Sequence, residues 1–538
     1  MKPQAADVLV IGSGASGAAF SWSLAKAGFD VVCLEQGKWL NPQEDYATTE
    51  TDWELHRQTD FNPNPNVRNN ISDYPVNDSD SPIAPLMYNA VGGSTIHWTA
   101  LFPRLKPSDF QVRNLDAVAD DWPITYQELE PYFDLNDRHM GVAGLIGDPS
   151  YPPKSPRQTP PVGLGKLGNT ITKGFDKLGW HWWPSDSAIN TTTYDGRAAC
   201  NNCGPCDIGC TIKAKASTDV TYWPKAISFG AKLVTGARVR EITVNPKGLA
   251  KGAVYYDKYG NTCEQEAKVV ILACNGIGTP RILLNSTSSL FPNGLANSSG
   301  LVGKNLMFHP YAAVTGVFDE DLEGHKGPGP LSIMSSQFYE TDLTRGFVRG
   351  YAYQVTRSLS PVSQASGGYS NKYMDWGSDH HAKFKDSFNK TVRIAIIGED
   401  LPELNNTVTL DPNITDHDGI PAPKVSYRLS DNSHKMLDHG VTTATQVMEA
   451  AGAHQVTSNP LLKEAGWHLM GTTKMGSDEN NSVVDKFGRS HDVKNLFVID
   501  GSIFVTAGAV NPTSTIQALA LYIADYVKNN SRDILDKS

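Results

Sequence analysis

The feature that most constrains the fold is the stretch VLVIGSGASGAAFSWSLAKAGFDVVCLEQG at residues 8–37. It begins with a continuous apolar run, residues 8–11, as expected for a strand that is buried on both faces. Gly12, Gly14 and Gly17 then give the spacing G-x-G-x-x-G and open a predicted helix, which a second apolar strand ending at Glu35 follows. The stretch therefore predicts a strand–helix–strand unit of a parallel sheet.

In such a unit each glycine has a separate task. The first permits the tight turn, the second lets the backbone approach a pyrophosphate, and the third lets the helix pack closely on the strand. The free N–H groups at the helix N-terminus can bind phosphates, and Glu35 can accept hydrogen bonds from ribose hydroxyls. We therefore predict a dinucleotide site. The acid disfavours NADP, but it does not distinguish FAD from NAD.

Three further stretches indicate the cofactor by resemblance. They are NAVGGSTIHW (89–98), KVVILACNGIGTPRILLNS (268–286) and the C-terminal pair GWHLMGTTKMG (466–476) and NLFVIDGSIFVTAGAVNPTSTIQALALYIAD (495–525). These segments resemble the signature segments of the glucose–methanol–choline (GMC) oxidoreductases. The resemblance runs from residue 7 to about 527 and is thin over 311–465. It implies FAD and an α/β fold with a Rossmann-like FAD-binding lobe and an antiparallel-sheet substrate lobe.

The order of these segments implies that both lobes are discontinuous in the sequence. The chain of 538 residues is also longer than one hydrophobic core usually holds. The alternating runs at 392–398 and 407–412 predict strands of the substrate lobe, and the Asn-, Asp- and Pro-rich stretch 60–85 predicts a loop or lid. The predicted FAD-binding lobe comprises 1–45, 85–125, 200–310 and 466–538; the substrate lobe comprises 126–199 and 311–465; and 46–84 forms the loop or lid.

The resemblance also assigns residues to the flavin. Gly92 and Gly93 permit close approach of the backbone to a planar ring. Asp500, at the end of the apolar run 496–499, can accept hydrogen bonds from ribityl hydroxyls, and Val239 is the expected main-chain contact to adenine by analogy with the family.

Pro512 precedes a predicted helix over 513–524, which begins at Thr513. Its free N–H groups can stabilise negative charge at the N1/C2-carbonyl edge of the flavin. His97 has two interpretations that the sequence leaves open. In some relatives a histidine in a similar segment is bonded covalently to the flavin, and the alternative is a noncovalent residue that lines the dimethylbenzene edge.

A catalytic pair follows from the chemistry of alcohol oxidation. A base with a pKa near neutral must accept the hydroxyl proton while a hydride passes to flavin N5. The resemblance assigns this role to His468, with Asn511 as a partner that holds the substrate oxygen through a neutral hydrogen bond. We interpret the other histidines, including His309, His380 and His381, as surface, packing or substrate-lobe residues.

Four of the seven cysteines, Cys200, Cys203, Cys206 and Cys210, have the spacing C-x2-C-x2-C-x3-C. This spacing is typical of ferredoxin cluster loops and predicts a single iron–sulfur cluster, either 3Fe–4S or 4Fe–4S. Structural zinc and a cysteine remnant without metal are the alternatives. The segment also resembles that of the catalytic subunits of bacterial FAD-dependent gluconate, fructose and glucose dehydrogenases. That resemblance implies an electron-acceptor or haem subunit as partner.

Charge and hydropathy limit the remaining classes. A net charge of −10 argues against a nucleic-acid partner. No run approaches the roughly 18–20 apolar residues of a transmembrane helix, and the N-terminus lacks the features of a secretory signal. We therefore expect a cytoplasmic protein without a transmembrane segment, while export together with a signal-bearing partner stays open.

Together these features predict an FAD-dependent dehydrogenase that oxidises the CH–OH group of a small alcohol or sugar and passes electrons to an acceptor other than oxygen. The alternatives are an oxidase that produces hydrogen peroxide and an enzyme of the hydroxynitrile-lyase type, which performs no net oxidation. The sequence does not identify the substrate.

Overall fold

The computed structural model of the chain describes residues 5–46, 53–68, 70–328, 333–357, 360–366, 374 and 376–535. These residues form strands and helices in a mixed arrangement, which confirms the predicted α/β class. The strands are β1 (Ala6–Ile11), β2 (Val31–Glu35), β3 (Asn77–Asp80), β4 (Trp183–Pro184), β5 (Lys232–Thr235), β6 (Arg238–Val244), β7 (Ala250–Tyr256), β8 (Thr262–Leu272), β9 (Tyr311–Val317), β10 (Ile333–Phe338), β11 (Tyr351–Thr356), β12 (Thr391–Gly398), β13 (Thr407–Thr415), β14 (Pro421–Ser426), β15 (Gln455–Asn459) and β16 (Leu496–Val498). The helices are α1 (Ala15–Lys26), α2 (Trp53–His56), α3 (Pro65–Arg68), α4 (Val112–Asp116), α5 (Tyr126–Met140), α6 (Gly165–Leu178), α7 (Tyr222–Ser228), α8 (Asn275–Asn285), α9 (Pro361–Ala365), α10 (His380–Ser387), α11 (Asp431–Ala451), α12 (Thr513–Asn529) and α13 (Ser531–Leu535).

A seven-stranded sheet forms the first layer, in the order β5-β2-β1-β8-β7-β6, with β16 also paired to β8. The pairs β5–β2, β2–β1, β1–β8 and β8–β16 are parallel. Strands β6 and β7 add an antiparallel extension to the first half of β8. The apolar residues of β1 and β2 are buried, because α1 and α12 pack together against the sheet. The strand–helix–strand unit predicted at residues 8–35 is therefore confirmed.

A six-stranded antiparallel sheet, in the order β15-β9-β12-β11-β10-β4, forms the second layer. Alternate residues of its central strands point to opposite faces. Tyr353, Val355, Ile394 and Ile396 share one face, which is buried against apolar residues of α6 and α11. The opposite face carries Gln354, Thr356, Arg393 and Ala395 at the intervening positions. This sheet therefore has one face in an apolar core and one face toward the space between the two layers.

A small third sheet has the order β13-β14-β3. The run at 407–412, predicted as a strand of the substrate lobe, lies in β13 and pairs with β14 rather than with the six-stranded sheet. Residues 46–84, predicted as a loop or lid, contain α2, α3 and β3. In the described part of the chain, no helix is both long and apolar enough to cross a bilayer.

Candidate active site

One large cavity, of about 1160 Å³, is lined by residues from both major sheets. This volume exceeds the about 300–1,000 Å³ of an ordinary small-molecule pocket, as a site for a dinucleotide together with a substrate requires. The residues that follow four parallel strands meet at one edge of the first sheet and line this cavity. They are Gly12 after β1, Glu35 at the end of β2, Cys274 after β8 and Asp500 after β16. Ligands of such sheets bind beyond the carboxyl ends of the strands.

The glycine turn between β1 and α1 has no room for side chains at two of its three glycines. Gly12 has a φ of +98°, and a Cβ there would lie 2.5 Å from the Ala273 carbonyl oxygen. A Cβ at Gly17 would lie 2.0 Å from the Gly12 carbonyl oxygen. Gly14 has no neighbour within 4 Å of a Cβ and lines the cavity. This geometry corresponds to the three tasks expected of the motif.

Glu35 ties the glycine turn to β2. Its carboxylate accepts hydrogen bonds from the Ser13 N–H at 3.0 Å, the Ser13 hydroxyl at 2.7 Å and the Gly37 N–H at 2.8 Å. Burial raises the pKa of Glu35, in spite of these hydrogen bonds. Since a carboxylate offers about four acceptor positions, Glu35 keeps capacity for a ribose hydroxyl.

The segment around Gly92 and Gly93 packs directly on the glycine turn. The Gly92 N–H donates to the Ser13 carbonyl at 3.2 Å, and a Cβ at Gly93 would lie 3.0 Å from Gly14 Cα. Gly93 lines the cavity, as does Val239 in β6. The structure therefore brings the two glycine segments and the predicted adenine contact to one surface.

His97 is buried at the wall of the cavity, and its tautomer follows from its contact. Its Nδ1 lies 2.7 Å from the Asp207 carbonyl oxygen, which can only accept, so Nδ1 carries the proton. Burial lowers the pKa of His97 well below its ordinary value, and the ring is therefore neutral at pH 7. Within the described residues its Nε2 is buried without a hydrogen-bond partner. An unpaired basic nitrogen at the cavity wall is an unusual arrangement that suits a ligand contact.

Asp500 and the N-terminus of α12 line the same cavity. Asp500 accepts hydrogen bonds from the Thr279 hydroxyl at 2.5 Å and from the Ser502 N–H at 2.9 Å. Helix α12 begins at Thr513, and its cap residue Pro512 offers no side chain to the free N–H groups. These donors fit an acceptor edge such as the flavin N1/C2-carbonyl. Of the predicted catalytic and cofactor residues, only Gly17 and Gly92 do not line the cavity.

His468 and His309 form a hydrogen-bonded pair beside this cavity. Their Nδ1 atoms are 2.6 Å apart, and the rings are nearly perpendicular at 85°. The Nε2 of His309 lies 2.6 Å from the Gly508 carbonyl oxygen. Burial lowers the pKa of His309 to about 4. Burial also holds the pKa of His468 well below its ordinary value, and the neighbouring His309 adds to this effect. Both imidazoles are therefore neutral at pH 7.

Asn511 is held by a glutamine of the antiparallel sheet. The Gln354 side-chain Nε2 donates to the Asn511 Oδ1, and both residues line the cavity. Because this bond occupies the amide oxygen, the Asn511 Nδ2 hydrogens remain as donors toward the cavity. The structure therefore places both members of the predicted catalytic pair in the lining of the same cavity.

The four clustered cysteines line a second, small cavity of about 70 Å³. The seven cysteines all lie in the described part of the chain, and no disulfide links them there. Cys206 is buried and Cys203 is exposed, and Cys203 also lines the large cavity. Among the described residues, no group of three or more His, Cys, Asp or Glu side chains is arranged to hold a metal ion. The thiols thus share one cavity without forming the compact set that a single zinc ion requires.

Lys215 connects the cysteine loop, residues 200–210, to the segment 89–98 that contains Gly92 and Gly93. Its ammonium is buried and donates to the carbonyls of Ile96 at 2.6 Å, Trp98 at 3.1 Å and Cys206 at 2.5 Å. Arg57 adds an ion pair of 2.8 Å with Asp207, so the segment after α2 is attached to the same loop.

Three residues with clear positions in the site escaped the sequence reasoning. The sequence predicts a surface, packing or substrate-lobe role for His309, whereas in the structure it contacts His468. Gln354 lies in the region where the family resemblance is thin, and Lys215 carries no local signal that distinguishes it from a surface lysine. For His309 the one local signal is its position in LVGKNLMFHP (301–310), a shorter segment that also resembles the GMC family.

Comparison with known proteins extends over nearly the whole chain. Two family models described as GMC oxidoreductase match residues 6–311 and 402–520. The 2-methyl-1,2-propanediol dehydrogenase of Mycolicibacterium austroafricanum is 42% identical over 537 residues, covering 99% of this chain and 96% of that protein. The fructose dehydrogenase large subunit of Gluconobacter japonicus is 31% identical, covering 98% of both. A solved structure of Aspergillus oryzae RIB40 formate oxidase matches with a TM-score of 0.63 at 15% identity, covering 99% of this chain and 100% of that chain, a likeness of fold alone.

Proposed function

Because the chain belongs to the GMC oxidoreductase family, as its sequence motifs predicted, we propose that it is an FAD-dependent dehydrogenase that oxidises the CH–OH group of a small alcohol or sugar. One observation carries this proposal: neutral His468 and Asn511 line the same cavity as the residues predicted to bind the dinucleotide. The two relatives, named as dehydrogenases of a diol and of fructose, support the CH–OH substrate class.

The residues along the cavity fit FAD in their chemistry. The glycine turn and the N-terminus of α1 would hold the pyrophosphate, Glu35 and Asp500 would accept from sugar and ribityl hydroxyls, and α12 would face the pyrimidine edge. When bound there, FAD supplies the hydride acceptor of the reaction.

In this proposal His468 accepts the hydroxyl proton of the substrate. A base must be unprotonated at the working pH, and burial keeps His468 neutral. Asn511 donates to the same substrate oxygen, so its amide stabilises the negative charge that develops as the proton leaves. Gln354 fixes which end of that amide faces the substrate. These contacts orient the C–H bond of the substrate and keep His468 in position to accept the proton.

We extend the proposal to His97, whose buried and unprotonated Nε2 suits covalent attachment of the cofactor. The new bond would replace a C–H bond of the flavin 8α-methyl group, with two electrons passing to the electron acceptor of the enzyme and two protons to water. The test is acid precipitation of the holoenzyme. Yellow colour retained in the washed pellet, and lost from the His97→Gln variant, supports the bond. Complete release of the colour from the wild type removes it.

For the route of the electrons, we propose that the four clustered thiols hold an iron–sulfur cluster. Their spacing, their common cavity and the two cations Lys215 and Arg357 near them support an anionic metal–sulfur group. A single zinc ion, with Zn–S bonds of about 2.3 Å, would need the sulfurs within about 4 Å of one another. The described residues include no group of three or more ligand side chains arranged for one metal ion, so zinc is the less suitable occupant. A bound cluster would supply a one-electron route from FAD to an acceptor.

Iron and acid-labile sulfide analysis tests the cluster directly. About three or four iron atoms per chain are expected. Less than one iron atom per chain in protein purified without air would overturn the cluster, and electrons would then leave from the flavin itself.

The reaction is tested with His468→Ala and with His439→Ala as the matched control. His439 is a half-buried histidine that also forms a side-chain hydrogen bond, at 2.8 Å to the Tyr351 hydroxyl, but it does not line the cavity. We expect anaerobic alcohols or sugars to bleach the flavin of the wild type and the control, and the His468 variant to lose at least about 100-fold in that rate.

Retention of most of the turnover in His468→Ala, with FAD bound, would falsify the proposed base. Bleaching by no alcohol or sugar would favour a reaction of the hydroxynitrile-lyase type. An oxygen electrode decides between the redox alternatives, since stoichiometric hydrogen peroxide with oxygen as the efficient acceptor indicates an oxidase.

A further inference from the structure

We infer that His309 is a positioning residue that fixes the tautomer of His468 and keeps its Nε2 free to act as the base. This inference rests on the proposed role of His468. It concerns a residue that lies behind the catalytic histidine rather than in contact with substrate.

The backbone brings the two histidines face to face. Met307 and Met470 exchange N–H···O hydrogen bonds of 3.0 and 3.1 Å in an antiparallel bridge. His309 lies two residues after Met307 and His468 two residues before Met470, so the two stand opposite each other on the same side of the bridge. The contact is therefore a consequence of strand register and not of two mobile side chains.

The proton on His309 can be placed from its partner. The Gly508 carbonyl oxygen, 2.6 Å from His309 Nε2, has no hydrogen to give, so Nε2 must donate. The ring is buried and neutral and carries a single ring proton. Its Nδ1 is consequently an acceptor.

The proton on His468 then follows. His309 Nδ1 can only accept, and His468 Nδ1 lies 2.6 Å away, so His468 must donate from Nδ1. A neutral imidazole has one ring proton, which leaves the His468 Nε2 with its lone pair. Among the described residues this Nε2 has no hydrogen-bond partner, and His468 lines the cavity. The directed chain Gly508–His309–His468 therefore presents the basic nitrogen to the substrate.

The acceptor of this chain is itself fixed. Gly508 has a φ of +62°, and a Cβ there would lie 2.3 Å from the Leu105 side chain. The next residue, Ala509, donates its N–H to the Tyr339 hydroxyl at 3.1 Å. Asn511 follows two residues later, so one anchored segment positions both the substrate-binding amide and the carbonyl that orients His309.

His309 also acts as the reaction proceeds. When His468 takes a proton at Nε2, its Nδ1–H becomes a charged donor, and its hydrogen bond to His309 strengthens. A bond that strengthens in this way stabilises the transition state more than the ground state. The expected signature is a fall in kcat with little change in KM.

The variants are His309→Leu, which removes the acceptor, and His309→Gln, whose amide can donate to Gly508 and accept from His468. His439→Leu is the matched control. We expect His309→Leu to lose about 100-fold in kcat with KM within about threefold, and His309→Gln to stay within about tenfold of wild type. All are assayed with FAD bound and unfolding temperature recorded.

Wild-type kcat in the leucine variant, or equal losses in the leucine and glutamine variants, would overturn the inference. If His468→Ala itself keeps its turnover, the proposed function fails first, and the two failures are thus distinguishable. A spectroscopic test on the wild type does not depend on the activity of any variant. In 15N spectra of histidine-labelled protein, the His468 signals are assigned by their loss in His468→Gln. They should show the His468 Nδ1 protonated and its Nε2 unprotonated. The reverse pattern refutes the chain of donors.

Discussion

Replacing Gln354 with glutamate should turn the amide of Asn511 around. Gln354 now donates through Nε2 to the Asn511 Oδ1, and this leaves the amide hydrogens of Asn511 for the substrate oxygen. A carboxylate at position 354 can only accept, so the Asn511 amide would rotate to donate to it. Its carbonyl oxygen would then face the substrate oxygen. The side chain keeps its size, replaces its donor with an acceptor and gains a negative charge.

The size of the effect follows from that reversal. A preorganised donor to an oxygen that gains charge in the transition state is worth about 10²–10³-fold in kcat. Gln354→Glu should therefore lose at least about 100-fold in kcat/KM. Gln354→Leu removes the orienting contact without reversing it. If both amide orientations are then equally populated, the loss is only about twofold.

The assay is steady-state kinetics at pH 8, where an ordinary glutamate is ionised. Gln265→Glu serves as the control, since Gln265 is also a buried strand residue but does not line the cavity. Bound FAD and the unfolding temperature are measured for each variant. If Gln354→Glu is no slower than Gln354→Leu, the reversed amide is not the cause, and the reasoning is refuted.

Three further predictions concern cofactor binding and stability. Gly17→Val should purify without FAD, because even a Cβ would lie 2.0 Å from the Gly12 carbonyl oxygen. The ratio of flavin to protein absorbance measures bound FAD, with Gly163→Ala as the control, and a normal ratio in Gly17→Val would contradict the prediction. Lys215→Met leaves three buried carbonyls without their donor, at about 1 kcal/mol or more each, so unfolding should need about 3 kcal/mol less; an unchanged unfolding temperature would mean that other donors replace the ammonium. His309, with its pKa lowered to about 4, stays neutral in the folded chain, so its contribution to stability is complete above pH 6.5 and is lost as the pH falls toward 4. When the pH is lowered from 7 to 5, the unfolding temperature should therefore fall less for His309→Gln than for wild type. Equal falls in the two proteins would exclude this histidine as the cause.

The cofactor side of the molecule is largely predictable from sequence. A run of apolar residues followed by G-x-G-x-x-G specifies a buried strand, a turn and a helix through contacts that are local in the chain. Once those strands are parallel, Glu35 and Asp500 must lie at the same edge of the sheet. The family resemblance assigned Asp500 to the same cofactor as Glu35, although the two are almost the whole chain apart, and both line the cavity.

Contacts that depend on strand register could not be predicted. His309 and His468 meet because residues 307 and 470 pair, and no local pattern reports that pairing. The alternation at residues 407–412 indicates a strand, but it does not select β14 as its partner. The cysteine spacing likewise predicts a ligand set, whereas the positions of the sulfurs depend on a loop with left-handed turns at Gly204 and Gly209, each with a φ of +107°.

The antiparallel sheet separates two kinds of mutation by its pleat. Along β11 and β12, residues such as Val355 and Ile394 belong to the core against α6 and α11, whereas Thr356, Arg393 and Ala395 line the cavity. Changes at the second set alter the shape and charge that a substrate meets, while the packing that holds the sheet is untouched. Gln354 shares this face but orients the Asn511 amide, so it belongs to the reaction and not to the adjustable set. Evolution on this scaffold can thus change the accepted substrate at Thr356, Arg393 and Ala395 while Gln354, His468 and Asn511 are kept.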